Sequence, residues 1–296
     1  MIRKELIDIA TAKKKPDKLG ELKILPIAEL HPFPDHPFSV KDDDAMTEMV
    51  ESVKQFGVLE PGICRPRKDG GYEIIAGHRR THACEKAEVK EMPFVVRDLD
   101  DDEAVIMLVD SNIQREDIPP SEKAKAYKMK MEALKHQGKR HDLTSAQVEQ
   151  KLGWAVNQVA EDVGQSRAQV QRYIRLNNLN PELKEMVDEG RLAFTPAVEL
   201  SYLSPEEQRD LAVSLEETQN TPSLSQAQQI KKLSQEKRCT KEALHALLAV
   251  ASIKERNVVI KHEVIMQYFP AEASDAEIES LIVRLLADYR KTHGGV

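Results

Sequence analysis

The chain has 296 residues, of which 41% are hydrophobic and 31% charged, so it is long enough for two or three domains that each bury a core. Aromatic residues make up only 4%, which argues against a surface that binds single-stranded nucleic acid by stacking. Because no apolar run reaches the length of a membrane span and the three cysteines form no CxxC pair, we expect a cytoplasmic protein that does not contact membranes.

The net charge of −7 is distributed unevenly along the chain. Residues 1–20 carry a net charge of +3, residues 21–120 one of −10, residues 121–180 one of +5, and residues 181–296 one of −5. A protein that binds nucleic acid needs a basic face, and the block at 121–180 is where we expect a phosphate backbone to be met. A solvated lysine-rich helix has the same composition, so charge alone leaves both interpretations open.

The first part of the chain is predicted to form a flexible tail followed by a small α/β unit. Residues 1–20 have little to bury, and the prolines at 32–37 indicate a rigid loop. Apolar spacing predicts a helix over 46–56 that Gly57 ends, and a second helix from Arg79 to about Ala87. Short apolar runs predict strands at residues 22–25, 27–30, 62–65, 72–76 and 93–96.

The rest of the chain, from Asp101, is predicted to be almost entirely helical. Pro119 and Pro120 precede Ser121 at a new helix start, and a third unit begins near Lys237. The fold class is therefore α+β. We expect a flexible tail at 1–20, an α/β domain at 21–118, an all-helical domain at 119–236 and a small C-terminal domain at 237–296.

A helix-turn-helix is predicted over residues 157–174. Ala160 provides the small residue that two closely crossing helices need, and Gly164 suits the left-handed backbone of a tight turn. Ser166 and Gln169 form a capping-box pattern at the start of the second helix. An ordinary helical hairpin is the alternative, but turn, cap, apolar wedge and basic flank together favour DNA binding.

The second helix of this motif presents side chains that read bases or contact phosphates. Arginine pairs with guanine edges and with phosphates, and glutamine pairs with adenine edges. The candidate DNA-binding residues are Arg167, Gln169, Gln171, Arg172 and Arg175.

A glycine followed by two arginines stands where a predicted strand meets a helix. Gly77 allows the backbone to approach a phosphate, and the helix start after it supplies N–H donors. Arg79 and Arg80 offer planar donor groups for the same anion. His78, His82 and Cys84 also raise the alternative of a metal site, although a simple helix face explains their spacing better.

A second polar segment follows the apolar run at 105–109. Asn112 and Glu116 carry oxygen ligands of the kind Mg²⁺ prefers, and Arg115 is another potential phosphate contact. Taken alone, the segment is explained better by a helix C-terminus with solvated charges.

These motifs resemble the ParB-type (ParB/RepB) DNA partition proteins over roughly residues 21–235. The stretch Gly77 to Arg80 is similar to the Gly-Glu-Arg-Arg box of that family, and Asn112 to Glu116 is similar to its Glu-Asn-x-Gln-Arg box. Residues 57–61 look like the Gly-Val-x-Gln-Pro segment of the family, and the helix-turn-helix follows at a similar distance. Residues 194–203 resemble the subgroup found in mobile elements of Gram-positive bacteria.

The resemblance implies a nucleoid-associated homodimer that binds a centromere-like site on double-stranded DNA. Such proteins act in plasmid, chromosome or mobile-element segregation, load onto DNA as a CTP-dependent clamp, and work with a ParA-type ATPase. By position, Gly77, Arg79 and Arg80 would hold the triphosphate of CTP, and Asn112 and Glu116 would hold Mg²⁺. The remaining box residues His78, Gln114 and Arg115 would complete the nucleotide site.

The chain departs from the family pattern in both boxes and in an earlier proline-rich segment. His78 and Ser111 replace the two box glutamates, and His36 and Phe38 replace a glutamine and an arginine. We therefore expect at most a slow CTPase. The alternatives are a transcriptional regulator of the same fold without clamp activity, a nuclease of the same fold, or a sulfiredoxin-like enzyme, against which Gly77 in the nucleophile position counts strongly.

The C-terminal segment is a candidate for dimerisation. Ser274 and Glu277 form a capping-box pattern before a helical apolar stripe. That stripe consists of Ile278, Leu281, Ile282, Leu285, Leu286 and Tyr289. The alternative is that the stripe packs on its own chain, against residues 258–260 and Tyr268.

Overall fold

The computed structural model describes residues 20–115, 117–136, 145–249, 268–269 and 274–293. The chain divides into two compact units, residues 1–249 and 250–296. Within the described residues, no helix is long and apolar enough to cross a membrane.

A five-stranded mixed sheet forms the centre of the first domain. Its strands are β1 (Glu21–Pro26), β2 (Leu30–His31), β3 (Gly62–Pro66), β4 (Tyr72–Ala76) and β5 (Glu91–Val96). The order across the sheet is β1-β5-β3-β4-β2, in which β1–β5 and β3–β4 pair antiparallel and β5–β3 and β4–β2 pair parallel. Since strand side chains alternate, Ile74 points into the core on one face and Ile75 into the core on the other.

Three helices cover the two faces of the sheet: α1 (Asp44–Phe56), α2 (His78–Lys86) and α3 (Asp101–Asn112). Helices α1 and α2 bury Met46, Val53 and Cys84 against one face. Helix α3 buries Leu108 and Val109 against the other face. Two layers of helix on a central sheet are the α/β arrangement that the strand and helix pattern predicts.

The helix starts follow local capping chemistry. Asp43 accepts a hydrogen bond from the N–H of Met46 at 2.8 Å, and Asp100 with Glu103 forms a complete capping box at the start of α3. The acidic residues near position 100 therefore form the start of a helix. Gly57 ends α1 with a φ of 71°.

One predicted strand differs from the structure. Residues 27–30 were expected to be extended, but Ile27–Glu29 forms a single 3₁₀ turn before the two-residue strand β2. The chain must leave β1, which pairs with β5 at one edge of the sheet, and cross to the other edge beside β4, and this turn makes the crossing.

The helices of the second domain are α4 (Pro120–His136), α5 (Ser145–Asp162), α6 (Arg167–Leu176), α7 (Pro181–Asp188), α8 (Phe194–Leu200), α9 (Pro205–Thr218), α10 (Leu224–Gln235) and α11 (Lys241–Ala249). Tyr127 and Met131 of α4 share one apolar cluster with Val159 and Val170 of the helix-turn-helix. This cluster makes α4 the helix on which the DNA-binding motif is built.

The boundary expected near Lys237 is not where the structure divides. Leu244 and Leu248 of α11 are buried in the same apolar cluster as Leu211 and Leu215 of α9. Helix α11 therefore completes the helical domain, and the second unit begins at residue 250.

The described part of the second unit is mainly helix α12 (Asp275–His293). Ser274 and Glu277 exchange hydrogen bonds of 2.9 Å and 3.4 Å, which confirms the predicted capping box. Ile278 is buried, whereas Leu285 and Leu286 are about 60% exposed, as is Tyr289. Tyr268 is 81% exposed, and residues 258–260 lie outside the described part of the chain, so the alternative packing partner is only partly visible.

Candidate nucleotide pocket and DNA-binding helix

Strand β4 ends and helix α2 begins at Gly77, where any other residue would strain the backbone. Gly77 has a φ of 107°, in the left-handed region, and accepts the first hydrogen bond of the helix from Thr81. A Cβ at this position would lie 3.2 Å from the Cα of Gly62 on the neighbouring strand. The bare backbone leaves the N–H groups at the start of α2 open to a ligand.

A cavity of about 350 Å³ lies in front of this helix start. It brings together residues of both predicted boxes, which are 35 positions apart at Gly77 and Asn112. The predicted residues that line it are Gly77, His78, Arg79, Arg80, Asn112 and Arg115. Gln114 is exposed and is not part of the lining, and Glu116 lies outside the described residues.

Both box arginines are held by acceptors of the protein itself. Arg79 donates to the carboxylate of Asp43 at 3.1 Å, and this hydrogen bond lowers the pKa of Asp43 below its usual value. Arg80 donates to the backbone carbonyls of Glu60 at 2.6 Å and Pro61 at 3.1 Å. The guanidinium groups are thus oriented at the cavity before any ligand is present, which lowers the entropic cost of binding an anion.

Two histidines meet inside the cavity, and sequence reasoning did not foresee that they touch. The ring centroids of His36 and His78 are 4.1 Å apart, and the Nε2 atom of each ring is buried without a hydrogen-bond partner among the described residues. Burial lowers the pKa of His36 and lowers the pKa of His78 to about 3, so both rings are neutral at neutral pH. Both residues depart from the family pattern, and this shared departure is the signal in the sequence that could have indicated their contact.

The second box contributes an amide and a hydroxyl rather than a carboxylate. Asn112 Nδ2 donates to the carbonyl of Leu108 at 2.9 Å, which leaves its Oδ1 as the oxygen available to a cation. Ser111 Oγ also donates to Leu108, at 3.0 Å. Mg²⁺ commonly uses one or two protein ligands together with phosphate oxygens, so Asn112 fits an ion that bridges phosphates. Among the described residues, no group of three Asp, Glu, His or Cys side chains could hold a metal ion by itself.

The helix-turn-helix forms as predicted. Gly164 has a φ of 64° at the turn, and Ser166 Oγ accepts a hydrogen bond from the N–H of Gln169 at 3.2 Å. Ala160 and Val170 are buried between the two helices. The start of α6 exposes Arg167, Gln171 and Arg172, while Gln169 is half-buried.

Arg175 is placed differently from expectation. It was predicted to point away from the core towards DNA, but its guanidinium donates to Ser201 Oγ and to the Ser201 carbonyl, both at 3.2 Å. It also lies 3.9 Å from the ring centroid of Tyr202. Because it is near the C-terminal end of α6, its side chain reaches the turn after α8 rather than the helix start that enters a groove. Its role in the structure is to position α6.

Lys130 is a charged residue in the core that the sequence interpretation missed. Its side chain is completely buried, and its Nζ contacts Asp110 and Asp162. The available signal was its spacing, since Lys130 falls on the apolar face of α4 between Tyr127 and Leu134.

Comparison with known proteins decides the family. The model of the ParB N-terminal domain matches residues 11–113, and that of the ParB HTH domain matches residues 143–221. The probable chromosome-partitioning protein ParB of Vibrio cholerae is 31% identical over 220 residues, which cover 74% of this chain and 69% of that protein. The chain belongs to the ParB family.

Other ParB-family relatives match over a shorter part of their length. The chromosome-partitioning protein Spo0J of Thermus thermophilus is 33% identical over 183 residues, and this chain spans 61% of it. The match covers 62% of this chain. These relatives are named as chromosome-partitioning proteins, which gives no support to a sulfiredoxin-like enzyme, a nuclease or a stand-alone regulator, and none to the mobile-element subgroup.

Two solved ParB structures from Caulobacter crescentus also match. The C-terminally truncated protein complexed to the centromeric parS site is 25% identical, with a TM-score of 0.42 over 72% of this chain and 99% of that one. The form complexed with CTP-gamma-S is 28% identical, with a TM-score of 0.31 over 66% of this chain and 99% of that one.

Proposed function

We propose that this ParB-family protein binds a centromere-like duplex DNA site through α6 and CTP in the cavity before α2, and thereby acts in DNA segregation as a dimeric clamp. The observation that carries the proposal is the cavity in which Gly77, Arg79 and Arg80 of the first box meet Asn112 and Arg115 of the second. A concave site with N–H donors and oriented guanidinium groups is suited to a triphosphate.

Nucleotide binding in this proposal uses each box for a separate task. The N–H groups after Gly77 and the guanidinium groups of Arg79 and Arg80 bind phosphate oxygens. Asn112 provides an oxygen for Mg²⁺ that bridges those phosphates, with Glu116 as the second ligand carried over from the family box. Arg115 adds a further positive charge at the rim.

Hydrolysis of the bound nucleotide is expected to be slow or absent. A hydrolysing site must position and polarise a water, and a carboxylate is the usual group for that task. Ser111 carries none and donates its hydroxyl to Leu108, while burial lowers the pKa of His78 to about 3, which makes its neutral ring a weak base. The nucleotide would act mainly as a switch that favours one arrangement of the protein over another.

Duplex binding is assigned to the exposed start of α6. Arg167 at its first position and Gln171 and Arg172 in its middle are exposed, and the N-terminal end of a recognition helix is the end that enters a major groove. Helix α6 lies within the basic block at 121–180, and the net charge of +5 of that block attracts the phosphate backbone.

Dimerisation is assigned to the second unit. The exposed Leu285, Leu286 and Tyr289 of α12 form an apolar face with the helical spacing of a self-association surface. A dimer would present two copies of α6 to two half-sites. A ParA-type ATPase partner and the resemblance to the subgroup of Gram-positive mobile elements stay predictions, and the genes next to this one test both.

Calorimetry tests the nucleotide site directly. The full-length protein is titrated with CTP, ATP, GTP and UTP, each with Mg²⁺, and we expect binding of CTP that Arg80→Ala removes or weakens. A lack of binding for all four nucleotides, or binding that Arg80→Ala leaves unchanged, contradicts the nucleotide assignment. Rapid CTP turnover would contradict only the expected slow hydrolysis.

Selection from a random duplex library tests the DNA site. We expect the protein to recover a distinct sequence, and a mass measurement by light scattering to show a dimer that becomes monomeric when residues 250–296 are deleted. Recovery of random sequence would contradict specific binding, and an unchanged mass after deletion would contradict dimerisation through the second unit.

A further inference from the structure

Lys130 lies in the middle of α4 with none of its side chain exposed to solvent. Its Nζ donates to Oδ1 of Asp110 and lies 2.5 Å from Oδ2 of Asp162. Tyr127, Met131 and other buried apolar side chains of α4 surround this position. A buried ammonium group is tolerated only when carboxylates compensate its charge, so the two aspartates and the lysine act as one cluster, here called the ion bridge.

The ion bridge joins three helices with different tasks. Asp110 is in the last turn of α3, and the next two residues, Ser111 and Asn112, line the nucleotide cavity. Asp162 is the last residue of α5, immediately before the turn of the helix-turn-helix. Gln158 Nε2 donates to Oδ1 of Asp162 at 2.9 Å, so the second oxygen of this carboxylate is fixed as well.

Stability alone does not account for such a cluster. Replacing a buried ion bridge with apolar side chains of similar size is often neutral or stabilising, because apolar groups carry no desolvation cost. Apolar side chains can shift against one another at little cost, whereas an ammonium group and two carboxylates make their hydrogen bonds in one relative orientation of the helices. The ion bridge therefore specifies the orientation of α3 and α5 relative to α4 more than it strengthens their packing.

Two other residues that line the cavity, His36 and Ser39, also contact α4, through weaker hydrogen bonds. Glu122 in the first turn of α4 accepts hydrogen bonds from the N–H and Oγ of Ser39, at 3.0 Å and 2.6 Å. Lys125 donates to the carbonyl of His36 at 3.3 Å. The Ser39 contacts are exposed, and exposed polar contacts of this kind contribute little and yield easily. The ammonium group of the ion bridge is completely buried, while the side chains of Asp110 and Asp162 are 48% and 33% exposed, so the ion bridge is the better shielded link between the cavity and the helix-turn-helix.

We propose that Lys130 is a positioning residue that couples nucleotide binding in the cavity to duplex binding at α6. It acts through Asp110 on the orientation of Asn112, and through Asp162 on the orientation of the helix-turn-helix, and it touches neither ligand. This inference rests on the proposed function, since it requires that the chain binds both a nucleotide and DNA. Because coupling between two binding sites is reciprocal, DNA changes nucleotide affinity by the same factor as nucleotide changes DNA affinity.

The test measures CTP affinity by calorimetry, with Mg²⁺, in the full-length protein with and without a saturating duplex recovered by the library selection. For the natural protein the two dissociation constants differ by about 5- to 150-fold, the usual range for coupled sites. The triple variant Asp110→Leu, Lys130→Met, Asp162→Leu leaves no uncompensated charge at the buried position of Lys130, because all three charges are replaced by apolar groups together. In this variant the ratio of dissociation constants falls to about 1, while each ligand still binds.

Two further variants separate coupling from a structural role. Asp110→Asn leaves the Lys130–Asp162 pair in place and removes only the negative charge on α3 that Lys130 contacts, so it also lowers the ratio. Lys241→Met with Glu217→Leu removes a lysine–carboxylate pair of 3.0 Å between α11 and α9 and leaves the ratio unchanged. Hydrogen exchange at residues 108–112 responds to duplex in the natural protein and in this control, but not in the ion-bridge variants.

The outcomes distinguish this inference from the function on which it rests. An unchanged ratio in the triple variant or in Asp110→Asn overturns the coupling role of Lys130, even when CTP and DNA both bind. A ratio of 1 in the natural protein overturns it too, because there is then no coupling to transmit. A natural protein that binds no CTP with or without duplex overturns the proposed function and the inference together.

Discussion

Two regions of this protein use arginine in opposite ways. In the nucleotide cavity, Arg79 and Arg80 are held by a carboxylate and by backbone carbonyls of the same chain. At the start of α6, Arg167 and Arg172 are exposed on a convex helix surface. A small anion that enters a cavity benefits from donors that are already oriented, whereas a long, regular phosphate backbone is met by side chains that can adjust to it.

Arg175 shows that position along the helix decides between these two uses. It lies two turns beyond Arg167 on α6, yet Ser201 and Tyr202 hold its side chain, as Asp43 holds that of Arg79. We therefore distinguish held arginines, which are hydrogen-bonded within the protein and organise its structure, from free arginines, which are exposed and available to bind DNA.

The largest expected effect comes from removing the free arginines. Arg167→Ala with Arg172→Ala is expected to weaken binding to the selected duplex by about 2–6 kcal/mol, since each contact to a base or a phosphate contributes about 1–3 kcal/mol. Fluorescence anisotropy at fixed salt measures the change. CTP binding in the absence of DNA is the control and stays as it was; equal duplex affinity in the variant and the natural protein would remove α6 from the DNA site.

Removing one held arginine of the cavity comes next. Arg80→Ala is expected to weaken CTP binding by about 1.5–3 kcal/mol, the usual contribution of a hydrogen bond that involves a charged group. The measurement is calorimetry with Mg²⁺. Lys68→Ala, in the exposed turn between β3 and β4, is the matched control and leaves CTP affinity unchanged. A similar loss in both variants would indicate a general charge effect rather than a site at Arg80.

The neutral histidines of the cavity predict a loss of stability in acid. The folded pKa of His78 is about 3, below the value of 6.5 for an unperturbed side chain, so the unfolded state takes up a proton first. The contribution of His78 to the free energy of unfolding is fully present above about pH 6.5 and decreases as the pH falls towards 3. Between pH 7.5 and pH 5, the free energy of unfolding decreases by about 2 kcal/mol. Urea unfolding across this range measures it. His78→Gln flattens the profile, and an equal slope in that variant would contradict the assignment.

The smallest expected effect tests the held arginine of α6. Arg175→Ala is expected to lower the free energy of unfolding by about 1 kcal/mol, through its hydrogen bonds to Ser201. The loss of duplex affinity is smaller than for Arg172→Ala under the same conditions. Denaturant unfolding and anisotropy give the two values, and an affinity loss as large as that of Arg172→Ala would place Arg175 in the DNA interface after all.

Local chemistry in the sequence predicts most of the elements in the described residues. The capping pairs at Asp100–Glu103, Ser166–Gln169 and Ser274–Glu277 act over three residues, so they are readable without any knowledge of the fold. The same holds for Gly77 and Gly164, because a left-handed turn constrains the residue type at one position. Apolar periodicity likewise predicts which helix faces are buried.

The features that the sequence left undetermined all depend on partners far away along the chain. His36 meets His78 across 42 positions, and Lys130 is buried only because Asp110 and Asp162 approach it from two other helices. Arg175 is held by Ser201, and α11 joins the helical core through Leu244 and Leu248. Whether a charge or a helix is buried depends on the whole packing arrangement, because the groups that compensate the free-energy cost of burial come from distant parts of the sequence.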